Sequence, residues 1–343
     1  MSLGDLLLNS DTASLSESVR DFLSQNFWSV KADSIAVEQI KGGITNLLYH
    51  AWVTEQVEYP HVLVRIYGKA GSMVIDRECE EKITGILSSF SFGPRILGYF
   101  KNGRLEEFFP SRRPLEAAEM IEPHLSTMIA DKVREMHSIS CADSESQDAY
   151  IWSNLQNWLH LAEQTSRPSP VCLKELASEI QWAATEVKAF IHKRFDSALC
   201  QLVLAHNDLL GGNILYCDDS KDLVLIDFEY ASLNFAGFDI ANHFCAVPES
   251  ALISQGRYCL DKFPSSEQQM IFLRRYLRDE KIEQKNNFEI ITAFRLLAEL
   301  RWIVWAVVQA EHSAVVFDYD NYAKERFFNG YLPVKQLFSN SIC

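Results

Sequence analysis

At 343 residues, with 48% hydrophobic and 23% charged side chains, the chain has the composition of an ordinary globular protein and enough apolar material for one large or two packed domains. A formal net charge of −14 disfavours nucleic acid and anionic membrane surfaces as partners, since both reward a basic face, and mildly favours a cationic small molecule. The eight cysteines show no C-x-x-C spacing, which speaks against a zinc site or a disulfide framework and for a reduced, cytoplasmic setting.

Leu6, Leu7, Leu15, Val19, Phe22 and Leu23 recur at helical spacing and predict a lead-in helix within the first 30 residues, with Asp11 or Ser14 as its cap. Leu6-Leu7-Leu8 is too short for a secretion signal. From Ile35 to Val53 the pattern becomes strand-like, interrupted by the glycine turn Lys41-Gly42-Gly43-Ile44-Thr45-Asn46. Such a turn can bring backbone N–H groups and the Thr45 and Asn46 side chains to a phosphate, and a plain hairpin explains it equally well. The strand His61–Tyr67 carries Arg65, which is costly to bury unless paired. A helix over 75–89 offers Glu78, Glu80 and Glu81, and strands over 92–100 and 103–109 complete a five-stranded lobe. Pro110-Ser111-Arg112-Arg113-Pro114 breaks structure, which sets the domain boundary at 109/110: an N-terminal lobe over 1–109 and a mainly helical lobe over 110–343. Helices are expected over 122–138, 150–162, 172–195, 237–246, 265–279, 287–311 and 319–330. The most apolar segment, Trp302–Val308, is far shorter than the roughly 20 residues of a membrane helix.

The chemistry concentrates between Leu202 and Tyr230. The runs Leu202-Val203-Leu204, Ile214-Leu215-Tyr216 and Leu223-Val224-Leu225-Ile226 read as short buried strands. The latter two, joined by the turn 217–222, should lie antiparallel and bring Asn213 close to Asp227. An amide oxygen and a carboxylate are hard donors suited to Mg²⁺, which keeps water and phosphate oxygens in its shell. Asp208, five residues before Asn213, is placed to accept a proton from a hydroxyl. His206-Asn207-Asp208-Leu209-Leu210-Gly211-Gly212-Asn213 followed by Asp227-Phe228 is the H-x-D-x-x-x-x-N and D-F-x layout of kinase-like phosphotransferases. Further on, Trp302, Trp305, Phe317, Tyr319 and Tyr322 cluster in the sequence. Aromatics at helical spacing read first as core.

These motifs, with Ile226-Asp227-Phe228-Glu229-Tyr230 and Gly237-Phe238-Asp239-Ile240-Ala241-Asn242-His243-Phe244-Cys245, resemble the choline/ethanolamine kinase family. The resemblance implies an α+β fold, two-lobed and protein-kinase-like or aminoglycoside-phosphotransferase-like, with a small antiparallel-sheet N-lobe and a larger helical C-lobe. It implies ATP and Mg²⁺ as cofactors and transfer of phosphate to choline or ethanolamine, an entry step of phospholipid synthesis. On this reading Asp208 is the base and Asn213 and Asp227 hold the metal. Arg65 grips the phosphates and pairs with Glu80, while backbone groups of Glu107 and Phe109 bind adenine. Trp302, Trp305, Phe317, Tyr319 and Tyr322, with Glu229 and Tyr230 beside the catalytic strand, form the substrate box, since ring faces attract a quaternary ammonium.

Relatives carry Glu after His-Phe-Cys, where this chain has Ala246, which removes one counter-charge. The run Gly103–Phe108 looks closer to the choline branch, so choline is expected over ethanolamine. An ethanolamine kinase, another small-molecule kinase of the same fold and a silent kinase-like binding protein are the alternatives. No nucleic-acid partner and no membrane insertion are expected, and a homodimer is left open.

Overall fold

Arg65 sits in the middle strand of a five-stranded antiparallel sheet, and the period-two pattern of that strand organises the first part of the chain. In this computed structural model, which describes residues 12–40, 46–68, 71–140, 148–313 and 315–342, two units separate: Met1–Arg112 with Ser313–Val315, and Arg113–His312 with Val316–Cys343. The first contains helix α1 (Thr12–Asn26), strands β1 (Ala36–Ile40), β2 (Asn46–Trp52) and β3 (His61–Tyr67), helices α2 (Gly71–Val74) and α3 (Arg77–Ser89), and strands β4 (Ile96–Phe100) and β5 (Gly103–Glu107). The sheet order is β1-β2-β3-β5-β4. Val62, Val64 and Ile66 of β3 share one face and bury with Leu105, Tyr49 and Ala51 against Val19, Phe22 and Leu23 of α1. Alternation sends Arg65 to the opposite face. Its register partner there is Arg104.

Two boundaries shift from expectation. Ser14 lies inside α1, so it does not cap that helix, and Asp11 lies outside the described residues. The strand expected from Phe92 starts at Ile96, because Gly93 turns the chain at φ 76° just before Pro94.

The second unit contains β6 (Arg113–Pro114), α4 (Pro123–His137), α5 (Tyr150–Glu163), α6 (Leu173–His192), β7 (Leu202–Ala205), β8 (Ile214–Cys217), β9 (Asp222–Leu225), β10 (Ser232–Phe235), α7 (Ala236–Gln255), α8 (Ser266–Leu277), α9 (Gln284–His312), α10 (Tyr319–Glu325) and α11 (Leu332–Ile342). Helix α9 is buried on all sides over most of its length, with Arg295, Glu299 and Arg301 among the enclosed residues, as befits a helix surrounded by others. Ile291, Leu297, Leu300 and Val304 are at most 1% exposed, and each contributes about 1.5–3 kcal/mol by leaving water. Helix α7 crosses α9 at Gly237, where a β-carbon would stand 2.6 Å from the Phe294 ring. The sequence ended α7 at residue 246; it continues through Pro248 to Gln255, and Gly256 closes it at φ 69° with its N–H donating to Leu252. The helix expected to run to residue 330 instead passes into a wide π-type turn, Arg326–Tyr331, and then α11.

Candidate active site

Each catalytic run leaves a strand through one residue in the left-handed region. Asn207 follows β7 at φ 64° and Asp227 follows β9 at φ 65°, and Asn and Asp tolerate that conformation better than other non-glycine residues. Strands β8 and β9 pair antiparallel, and the Ile226 N–H donates to the Asn213 carbonyl at 3.0 Å, so Asp227 is carried next to Asn213 as the turn between them predicts. The Asn213 amide nitrogen donates to the Asp208 carbonyl at 2.8 Å and to its Oδ2 at 3.1 Å. That orientation commits the amide nitrogen to Asp208 and leaves the Asn213 oxygen as the atom suited to a cation. Gly211 is required in this loop: a β-carbon there would lie 2.3 Å from the Leu115 carbonyl oxygen.

Asp239, at the start of α7, holds the loop from behind. Its carboxylate accepts the N–H groups of His206 at 2.8 Å and Asn207 at 2.7 Å, and His137 Nε2–H at 3.0 Å. Burial pushes this carboxyl up, but the hydrogen bond and charge of His137, with His206, outweigh it and hold Asp239 below the usual value. His206 is wholly buried and its Nε2 faces the Ile226 carbonyl at 2.9 Å, an acceptor only, so Nε2 carries the proton. Burial lowers its pKa and keeps it neutral at pH 7. Arg301 of α9 completes the frame, donating to the Asn207 carbonyl at 2.9 Å and to Asn154 Oδ1 at 3.0 Å.

Asp208 itself is pushed well above the ordinary carboxylate range, first by burial and then by the negative charges of Glu249, Asp227 and Glu229, with Arg301 opposing. A carboxylate raised in this way is a stronger proton acceptor when ionised.

The expected aromatic residues do converge. Tyr230 meets Trp302 with ring centres 5.6 Å apart, Trp302 meets Trp305 at 5.5 Å, and Trp305 meets Tyr319 at 5.7 Å and Tyr322 at 5.9 Å. Phe317 lies 4.8 Å from Tyr319 and 5.6 Å from Tyr322. Their polar edges are tied back: Trp305 Nε1 donates to Tyr230 Oη at 3.0 Å and Trp302 Nε1 to Asn242 Oδ1 at 2.7 Å. Arg301 lies over Tyr230 at 4.9 Å and Trp302 at 4.5 Å, so these two rings also serve the protein's own cation.

In the first unit the simple Arg65–Glu80 pair expected from the sequence is a larger network. Arg65 donates to Glu106 Oε1 at 2.6 Å, Arg104 bridges Glu106 at 2.8 Å and Glu80 at 2.6 Å, and Arg77 adds a 2.6 Å bond to Glu80 and a 3.0 Å bond to Asn46 Oδ1. Arg104 and Glu106 share a face because they are two apart in β5, and the register sets Arg65 beside them. Burial would raise Glu106, yet Arg65 and Arg104 hold it at about 2. The network joins three guanidinium groups and two carboxylates. Glu107 ends β5 with its N–H on the Arg95 carbonyl at 2.9 Å, and the Phe109 carbonyl accepts the Arg112 N–H at 3.2 Å. Thr45 lies outside the described residues.

The sequence profile described as choline/ethanolamine kinase matches residues 37–331. The chain belongs to that family. It is a phosphotransferase, a kinase that uses a nucleotide and acts on a small molecule. Among its relatives, a probable ethanolamine kinase of Arabidopsis thaliana is 34% identical, covering 90% of this chain and 82% of its own. A probable choline kinase of the same plant is 31% identical over 92% and 90%. The kinase fold is shared with the solved structure of a Plasmodium vivax ethanolamine kinase, at TM-score 0.78 and 24% identity over 98% of this chain and 93% of the other. It is likewise shared with the solved structure of a gentamicin–APH(2")-IIa complex, at TM-score 0.55 and 16% identity over 96% and 97%. The antiparallel sheet followed by a mainly helical region is therefore the expected architecture. No described helix of the kinase is long and apolar enough to cross a membrane.

Sequence reasoning gave no role to Asp239, Arg301, Arg104 or Glu249. Arg301 had a readable signal, a charge inside an apolar helix, the same signal that singled out Arg65.

Proposed function

We propose that the kinase transfers the γ-phosphate of ATP to choline, giving phosphocholine, and prefers choline to ethanolamine. The six-ring cluster of Tyr230, Trp302, Trp305, Phe317, Tyr319 and Tyr322 carries this reading. A trimethylammonium group needs only apolar and π surface. A primary ammonium brings three N–H donors, and each one left unpaired after desolvation costs about 1–3 kcal/mol. The α7 residue at the position of the relatives' acid is Ala246, which offers no acceptor.

In this scheme Asp208 takes the hydroxyl proton as the oxygen attacks the γ-phosphorus and ADP leaves, with Glu229 and Tyr230 lining the substrate beside it. The Asn213 oxygen and the Asp227 carboxylate fit Mg²⁺, which needs few protein donors and, when bound, neutralises phosphate charge. Arg65, with Glu80 reaching it through Arg104 and Glu106, fixes the phosphates. Asn46 at the start of β2 would meet the phosphates, with Thr45 assigned beside it by sequence alone, and backbone groups of Glu107 and Phe109 would receive adenine.

The test is kcat/KM for choline, ethanolamine and an aminoglycoside measured side by side with ATP. Choline should lead ethanolamine by at least about tenfold, the effect of about 1.4 kcal/mol. A clear lead for ethanolamine refutes the preference, and turnover of the aminoglycoside alone refutes the substrate class.

A further inference from the structure

Glu249 stands on α7 one helical turn beyond Ala246, and its surroundings give it more to do than neutralise a neighbour. Its carboxylate accepts the hydroxyl of Tyr322, a member of the ring cluster. It also lies 2.5 Å from Arg326 Nη2, a contact without hydrogen-bond geometry. Arg326 is wholly buried and already has a carboxylate of its own, donating Nη1–H to Glu299 Oε2 at 2.8 Å. Glu299 in turn is 0% exposed and accepts the Tyr258 hydroxyl at 2.5 Å. Two carboxylates thus flank the Arg326 guanidinium, and Glu299 also shares its surroundings with Arg295, one turn before it on α9. Of the two acids, Glu249 is the one bound to a ring of the cluster.

The position of that carboxylate is informative. Glu249 touches the ring cluster through Tyr322. Choline has its ammonium and hydroxyl separated by only two methylenes. An ammonium seated among these rings therefore lies beside the carboxylate bound to one of them. The Glu249 side chain is 12% exposed, so its field is weakly screened.

We propose that Glu249 is the counter-charge for the substrate's ammonium in this kinase, supplied from one turn beyond Ala246, and so a specificity-determining residue. The proposal rests on the choline reading above. Because its lone pairs are engaged by Tyr322 and it faces Arg326, Glu249 offers charge rather than a set of hydrogen-bond acceptors. That distinction suits a quaternary cation better than a primary one.

The experiment compares choline with 3,3-dimethylbutan-1-ol, its uncharged carbon isostere, as substrates of the wild type and E249Q. Charge loss should lower kcat/KM for choline about tenfold, mainly through KM, as expected for one partly screened unit charge. It should leave the KM for ATP within about twofold and the KM for the isostere nearly unchanged, because the uncharged head group does not meet that charge, while any effect through Asp208 lowers kcat for both substrates alike. E249D should restore most of the choline preference. Equal losses for choline and isostere, or a choline KM unchanged in E249Q, overturn the assignment. Should E249Q fail to fold, Y322F decides. It removes the hydroxyl bound to the carboxylate and makes the charge more available, so the choline-to-isostere ratio should rise, and an unchanged or lower ratio overturns the proposal. Absence of choline turnover in the wild type would instead sink the substrate reading itself.

Discussion

Asp239→Asn tests whether one buried carboxylate holds the catalytic loop. The side chain is 1% exposed and accepts three N–H donors, from His206, Asn207 and His137. An amide keeps one oxygen and turns its own N–H₂ toward one of these donors. At least one buried N–H then loses its acceptor, at about 1–3 kcal/mol, and the remaining bonds lose their charge assistance, at about 1 kcal/mol more. The expected loss is about 3 kcal/mol, which a domain with 5–15 kcal/mol of stability survives, so the variant should purify folded. The loop it releases carries Asp208, and a displacement of about 1 Å there should lower kcat by about 10²-fold. Urea unfolding gives the first number and steady-state kinetics the second. A destabilisation below 1 kcal/mol would refute the hydrogen-bond argument. A destabilised variant with wild-type kcat would show that the anchor does not position the base.

Asp208→Asn should lose about 10²-fold or more in kcat with little change in KM for ATP. Because burial and the charges of Glu249, Asp227 and Glu229 push Asp208 upward, the same change should leave the melting temperature equal or higher, which calorimetry can read. Asp227→Asn is a cleaner probe of the metal than Ala, since Asn accepts the left-handed φ of 65°. It should abolish turnover at ordinary Mg²⁺ while circular dichroism shows an unchanged fold, and full activity would remove Asp227 from the metal site. His243 is held at about 4 by burial against an ordinary 6.5, with its Nδ1–H on the Leu209 carbonyl. The unfolded chain therefore takes up this proton first, and stability should fall by about 3 kcal/mol as pH drops from 6.5 to 4. His243→Asn keeps a donor and removes the titration. Its denaturation midpoint should vary less over that window, and an unchanged slope would exclude His243 as the cause.

The sequence by itself determined the elements whose periodicity is local. The alternation of His61–Tyr67 gave a strand with the observed limits, and the paired runs around 214–217 and 222–225 gave a hairpin that carries Asn213 to Asp227. The aromatic residues between 302 and 322, clustered in the sequence, do meet in space. Sequence reasoning failed where no local pattern exists. The helix expected over 237–246 runs on through Pro248, carried by burial and capped by Gly256.

Only the tertiary structure decided which charges meet. Glu80 was assigned to Arg65 from position alone. Strand register set Arg104 beside Arg65 and alternation put Glu106 on the same face, so Glu106 became its partner. Arg301 reaches a carbonyl 94 residues away. Glu249 meets Tyr322 across 73 residues and shares Arg326 with Glu299 only because α7, α9 and the turn after α10 pack together. Helical and strand periods fix which face a side chain occupies. Which opposite charge waits on the facing element is fixed by packing, because the cost of burying an ion depends on a partner that the local sequence does not contain.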